Sequence, residues 1–219
     1  MNMATAYQKK LSDTSFSASA LACIRNDVVL FSGLGFRLER GEILQIEGPN
    51  GSGKTSLLRT LCGLSLPDAG EILWNGKNIQ ANRHDYFQDL SYIGHVNGIK
   101  MELTAVENLA IARSLAATPA NISLPEILEK MGLAEHAHTP ARKLSSGQRR
   151  RLALARLLTT GTKLWILDEP LTALDDAGRC LMKDMIAAHA AGQGITVLAT
   201  HDPVDIQRHK TTVIHLQND

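Results

Sequence analysis

The eight residues Gly48-Pro49-Asn50-Gly51-Ser52-Gly53-Lys54-Thr55 constrain this chain more than any other stretch. They satisfy the spacing G-x-x-x-x-G-K-[ST]. They lie between a compact apolar segment, Ile43-Leu44-Gln45-Ile46-Glu47, and a segment with leucines at 57, 58 and 61 on one helical face. A strand that ends in glycines and restarts as a helix leaves consecutive backbone N–H groups free to curl around an anion. The helix N-terminus adds partial positive charge at the same place. All eight residues are therefore candidates for a phosphate cradle, with Lys54 reaching the β- and γ-phosphates of a nucleotide and the Thr55 hydroxyl binding Mg²⁺. A glycine-rich turn capped by a lysine would look similar. From residue frequencies, however, a chance match in a chain this long is roughly one in a hundred.

Farther along, the apolar run Leu164-Trp165-Ile166-Leu167 ends in Asp168-Glu169. A buried strand that delivers Asp168 beside the phosphates can hold Mg²⁺ through water. Glu169, one residue on, points elsewhere and can polarise an attacking water. Two carboxylates at the start of a loop would mean little alone; the glycine motif upstream gives them a role.

Around these motifs the patterning alternates between strand and helix. Short apolar runs from Ala20 to Gln45, broken by Asn26-Asp27, Gly33, Gly35 and Gly41, predict strands with tight turns. A helix is expected over 54–62, a turn at 67–70, and strands over 71–74 and 90–93. Two or three helices follow over about 104–133, with breaks near Thr118-Pro119 and Pro125, then a strong helix over 148–159. A strand at 164–167, a helix at about 177–190 and strands at 195–200 and 212–216 complete an α/β core that carries a helical lobe.

The polar stretch Met1 to Ala18 reads as an N-terminal tail, and residues 19–219 as one domain with the lobe at approximately 96–150. The balance of 23 basic and 22 acidic side chains, a net +1, removes the electrostatic case for a nucleic-acid partner. An aromatic content of 4% argues against a base-stacking surface. Cys23, Cys62 and Cys180 form no CxxC pair and are expected to be buried small hydrophobes in a reducing compartment. No stretch approaches the ~20 apolar residues that span a bilayer.

Between the two phosphate-site motifs lies Leu144-Ser145-Ser146-Gly147-Gln148, followed by Arg149-Arg150-Arg151-Leu152-Ala153-Leu154-Ala155-Arg156. By itself this is a serine-capped helix whose three arginines make a solvated basic face or a nucleic-acid patch. In this order and company it resembles the ABC signature, usually LSGGQ, and the set resembles an ABC-transporter ATPase subunit from about residue 20 onward. A loop Leu171-Thr172-Ala173-Leu174-Asp175 and His201, after the 195–200 strand, match the family's D-loop and switch histidine.

The resemblance implies an α/β P-loop NTPase core of ABC ATPase type, with an N-terminal antiparallel β portion and an inserted α-helical lobe bearing the signature. It implies ATP and Mg²⁺ as ligands, the latter at Thr55 and Asp168, with Glu169 and His201 catalytic. It also implies a head-to-tail homodimer in which Ser145, Gly147 and Gln148 of one subunit close over the nucleotide on the other's P-loop. A helix N-terminus with free N–H groups suits that task.

Gly33-Leu34-Gly35-Phe36, Trp74-Asn75-Gly76, Ile93-Gly94-His95, Gly98-Ile99-Lys100, Leu103-Thr104-Ala105-Val106-Glu107-Asn108-Leu109 and the run from Leu164 to Pro170 look like one subfamily, the ATP-binding subunit of cytochrome c maturation, or haem exporter ATPase. That likeness implies integral membrane partner subunits and a peripheral place on the cytoplasmic face of the bacterial inner membrane. Three positions depart from the general ABC pattern. His95 stands where most relatives have glutamine, Ser146 replaces the usual glycine, and no aromatic lies between Cys23 and Leu30 to stack on adenine. None of the eight histidines sits in a CxxCH haem-attachment pattern. A soluble ABC ATPase acting on ribosomes or DNA would be expected to carry a second cassette, a coiled-coil arm or a zinc module. A P-loop kinase would leave Leu144–Gln148 and His201 without a purpose.

Overall fold

All five residues of the strand Leu164–Asp168 are buried, the mark of a parallel strand covered on both faces. Successive side chains of a strand point to opposite faces, and here they enter two different cores. Leu164 and Ile166 join one apolar cluster, Trp165 and Leu167 the other. The flanking strands divide in the same way, with Leu44, Ile46, Ile195 and Val197 on the first side and Ile43 and Leu198 on the second. The computed structural model describes residues 14–201, 203–206 and 209–217.

In chain order the elements begin with β1 (Ser15–Arg25) and β2 (Val28–Glu39), a hairpin turned by Asn26 and Asp27 at φ 50° and 63°. Two consecutive positive-φ residues make the turn whose twist matches the strands it joins. Next come β3 (Ile43–Glu47), α1 (Lys54–Leu61), β4 (Ala69–Trp74), β5 (Lys77–Asn78), α2 (Arg83–Asp89) and β6 (Leu90–Ile93). The helical stretch holds α3 (Ala105–Ser114), α4 (Leu124–Lys130) and α5 (Ser146–Ala155), followed by β7 (Leu164–Asp168), α6 (Asp176–Ala191), β8 (Ile195–Thr200) and β9 (Thr211–His215). An antiparallel sheet runs β2-β1-β4-β5 and a parallel sheet runs β6-β7-β8-β3-β9. The α/β class with an antiparallel N-terminal portion is thus the observed architecture.

Three helices of the inserted region begin with the same device. Thr104 with Glu107, Ser123 with Glu126, and Ser145 with Gln148 each form a reciprocal capping box, and a cap of this kind contributes about 1 kcal/mol to its helix.

Several boundaries differ from expectation for identifiable reasons. The polar N-terminal tail was expected to reach residue 18, but β1 begins at Ser15, because Phe16 and Ala18 are buried against β2 and β4. The rest of that tail, residues 1–13, lies outside the described residues. Pro125 does not break a helix. It sits in the first turn of α4, where its missing N–H would bond to nothing. The helix expected over 148–159 starts two residues earlier at its serine cap, and its last turn tightens into a 3₁₀ segment, Arg156–Thr159. Cys23 and Cys62 are buried, whereas Cys180 is exposed on the outer face of α6. Helix α2 has one fully buried side chain, Tyr86, whose hydroxyl donates to the Leu61 carbonyl at 2.6 Å and so braces the end of α1.

α6 is fastened to the parallel sheet by His189. Its ring stacks on Trp165 with centroids 3.9 Å apart and planes 5° from parallel. The Thr162 carbonyl, 3.1 Å from Nε2, can only accept, so Nε2 carries the proton and Nδ1 accepts from the Thr196 hydroxyl at 3.1 Å. A Cβ on Gly194 would collide with this ring. Burial holds the His189 pKa down at about 4, against a smaller upward pull from the Thr162 carbonyl.

Because the folded pKa lies below the unfolded value, stability is complete above about pH 6.5 and is lost as pH falls through the folded pKa. His189 alone should remove about 3 kcal/mol between pH 6.5 and 4. Urea melts across that window should show a steep loss in the native protein and a distinctly shallower one in His189→Leu. Equal slopes would remove His189 from the titration.

Candidate active site

The adjacent parallel strands β7, β8 and β3 end on the same side of the sheet, the edge where open α/β sheets bind ligands. Each strand end supplies one part of the site. The loop Gly48–Gly53 follows β3, Asp168 closes β7, and His201 follows β8. A cleft of about 550 Å³ gathers Asn50, Gly51, Gly53, Lys54 and Thr55 with Asp168, Glu169 and His201. Leu30, His95 and Thr172 contribute to its wall.

Gly48 is required by close approach: an added Cβ would strike the Leu216 carbonyl oxygen and Ser52 Oγ. Lys54 is buried, and its ammonium lies across its own loop, donating to the carbonyls of Gly48 at 2.6 Å and Pro49 at 3.1 Å. Glu169 Oε1 is 3.8 Å away. Ser52 Oγ is buried with no hydrogen-bond partner among the described residues. Gly48, Pro49 and Ser52 therefore back the loop, while Asn50, Gly51, Gly53, Lys54 and Thr55 face the cleft.

The Thr55 hydroxyl donates to Asp168 Oδ2 at 3.0 Å. Asp168 is 1% exposed. Burial pushes its carboxyl pKa up, opposed by the Thr55 hydrogen bond, raised further by Glu169, and lowered by His95 and Arg150. A hydroxyl and a carboxylate side by side at the first turn of a phosphate-loop helix are hard oxygen donors of the kind Mg²⁺ takes, so the residues present fit that ion.

Glu169 adopts φ 49°, a left-handed conformation uncommon outside glycine. Its N–H donates to the Ala199 carbonyl at 3.0 Å, and its Oε2 accepts from His201 Nδ1 at 3.0 Å. One carboxylate thus faces both Lys54 and His201.

The signature residues lie elsewhere. Ser145 is the exposed cap of α5, its Oγ accepting from Gln148 N–H at 3.2 Å while Gln148 Oε1 accepts from Ser145 N–H at 2.8 Å. Gln148 Nε2 meets His136 Nε2 at 2.7 Å. A Cβ on Gly147 would lie 3.3 Å from the Ala173 carbonyl, in the loop after Glu169. None of Ser145, Gly147 and Gln148 lines the cleft of Lys54.

One residue of this region is not where its composition suggests. Arg150, expected on a solvated basic face, is 4% exposed and bonds the backbone of Asp168 and Glu169. The signal was present in the helical phase, since Arg150 precedes the buried Leu154 by four residues and Leu157 by seven.

Comparison with known proteins identifies the family. A family profile described as ABC transporter matches residues 31–172. The cytochrome c biogenesis ATP-binding export protein CcmA of Nitrosomonas europaea is 51% identical over 201 residues, covering 91% of this chain and 93% of that protein. Its counterpart in Nitrosospira multiformis is 50% identical over 187 residues, covering 85% and 91%. Among solved structures, the ATP-binding subunit of an ABC transporter superposes with a TM-score of 0.80 at 23% identity, covering 93% of this chain and 86% of that one. An ATP-binding cassette of an ABC transporter in its ADP conformation gives 0.70 at 21%, covering 88% and 83%. The chain belongs to the ABC transporter family of ATP-binding proteins, alongside the cytochrome c biogenesis ATP-binding export proteins.

Proposed function

We propose that this chain is the ATP-hydrolysing subunit of a membrane export complex that handles haem in c-type cytochrome biogenesis, coupling ATP binding and hydrolysis to conformational change in integral membrane partners. The observation that carries the reading is the convergence of Lys54, the Thr55–Asp168 pair, Glu169 and His201 on one cleft, in a chain half identical to ATP-binding export proteins of that system.

Each side chain has a task that its surroundings favour. The N–H groups of residues 50–55 and the α1 N-terminus receive the β- and γ-phosphates. Lys54 exchanges the Gly48 and Pro49 carbonyls for phosphate oxygens, which are stronger acceptors for a buried ammonium. Thr55 and Asp168 would hold Mg²⁺, which would offset the negative charge of the phosphates. Glu169 accepts a proton from the water that attacks the γ-phosphorus, as the bond to the ADP oxygen breaks and inorganic phosphate forms. His201 donates through Nδ1 to Glu169 and so fixes the direction of the carboxylate.

The exposed N-terminus of α5, whose Ser145, Gly147 and Gln148 do not line their own chain's cleft, supports a head-to-tail homodimer. In it Ser145, Gly147 and Gln148 of one copy close over the nucleotide of the other, and closure excludes water. No helix among the described residues is long and apolar enough to cross a membrane. By its likeness to ATP-binding export proteins, the chain takes its place at the cytoplasmic face of the inner membrane by docking on partner subunits, as a peripheral component.

Three experiments test this reading. Lys54→Ala removes a buried charge-assisted donor and should weaken ATP binding on the order of 10- to 100-fold in a fluorescent-nucleotide titration; native affinity would detach the loop from the nucleotide. Glu169→Gln should retain ATP binding while hydrolysis falls about 10²- to 10⁴-fold. With ATP this variant should elute from a sizing column as a dimer, and a monomer at high protein concentration would contradict the head-to-tail arrangement. The isolated chain should stay in the supernatant with plain lipid vesicles and sediment with membranes when its partner subunits are co-expressed; direct vesicle binding would overturn the docking scheme.

A further inference from the structure

Arginine is almost never fully buried without a partner carboxylate, yet Arg150 is inaccessible and its guanidinium nitrogens Nη1 and Nη2 donate to carbonyls and one amide. Nη1 donates to the Gly94 carbonyl and to Asn97 Oδ1, both at 3.2 Å. Nη2 donates to the carbonyls of Asp168 at 3.0 Å and Glu169 at 2.7 Å. One planar fork therefore joins three segments: the signature helix α5, the loop after β6 that carries His95, and the end of β7. Burial pulls the pKa of Arg150 down, with the Asp168 and Glu169 carboxylates opposing that pull, and a guanidinium stays charged throughout.

The fork bears directly on Glu169. A left-handed non-glycine residue is strained and persists only where its surroundings hold it from several sides. Glu169 is held on one side by its N–H bond to Ala199 and on the other by the Arg150 bond to its carbonyl. Its carboxylate reaches Lys54 and His201 from that backbone conformation. Through Gly94 the same guanidinium also steadies the loop whose His95 lines the cleft.

We propose that Arg150 is a positioning residue for ATP hydrolysis: its guanidinium fastens the backbone of Glu169 and the Gly94–Asn97 loop to α5, so that the carboxylate is aligned when the signature helix is in place. This rests on Glu169 acting as the base, as proposed above. Arg150 stands five residues after Ser145, about 7.5 Å along the helix axis, so a shift of the exposed N-terminus carries to the fork. Lysine cannot replace it, because a single ammonium cannot bond both sets of acceptors in one plane.

The test is a double-mutant cycle in the full-length chain, with Arg150→Lys and Arg150→Gln each made in the native and the Glu169→Gln backgrounds. In the native background kcat should fall at least about tenfold, while ATP affinity stays within about twofold. In the Glu169→Gln background the same changes should alter the residual rate by less than about twofold, since the group being positioned is gone. An unchanged kcat, or an equal fold-loss in both backgrounds, would overturn the proposal. If Glu169→Gln alone hydrolyses ATP at the native rate, the base assignment fails and this inference with it, a result distinct from a normal kcat in the Arg150 variants. Should both Arg150 variants fail to fold, Asn97→Ala removes one acceptor of the fork and should lower kcat about threefold at constant KM; unchanged kcat there would overturn the proposal as well.

Discussion

The hydrogen bond from Thr55 to Asp168 joins residues 113 positions apart, and the site depends on it. It places a buried carboxylate beside the first turn of the helix that carries a buried lysine. Such an arrangement is unfavourable in isolation, because desolvating each charge costs several kcal/mol. The cost is offset by the strand that carries Asp168. Leu164, Trp165, Ile166 and Leu167 each enter an apolar cluster, and a fully buried side chain of that size contributes about 1.5–3 kcal/mol. Two cores, one on each face of the parallel sheet, make a strand rigid enough to hold a charge at its tip.

Where the chain's chemistry is local, it was legible. The glycine motif with its flanking strand and helix, the strands β6 and β8, and the carboxylates after an apolar run all follow from spacing that a few residues define. What was not legible depends on contacts distant in sequence. The start of β1 is set by pairing of Phe16 with Trp74 and Leu38. Helix α2 has no amphipathic stripe and rests on Tyr86 reaching the Leu61 carbonyl. Cys180, polar in its exposure, sits on the outer face of an otherwise correctly expected helix.

Arg150 is the instructive case at the site. Three consecutive arginines suggest solvent, and charge dominates any reading by composition. Helical phase distinguishes the three, because only the middle one has buried residues at three, four and seven places on, Ala153, Leu154 and Leu157. The flanking pair differ accordingly: Arg151 binds Asp175 at 2.5 Å near the surface, and Arg149 turns back to the Leu144 carbonyl. Position within a run, rather than the run, decided which cation became part of the interior.

The helical region meets β7 through two kinds of contact with different physical consequences. Leu128, Leu152 and Leu154 share an apolar cluster with Trp165 and Leu167. Such packing is non-directional, so it secures the lobe without specifying the direction of any side chain. The Arg150 fork is directional, since hydrogen bonds weaken steeply as donor angles close. A small rotation of α5 would leave the apolar cluster nearly intact yet strain the bonds to Gly94, Asp168 and Glu169. Holding and aiming are therefore divided between the two, and a helix anchored by the first can report its orientation through the second.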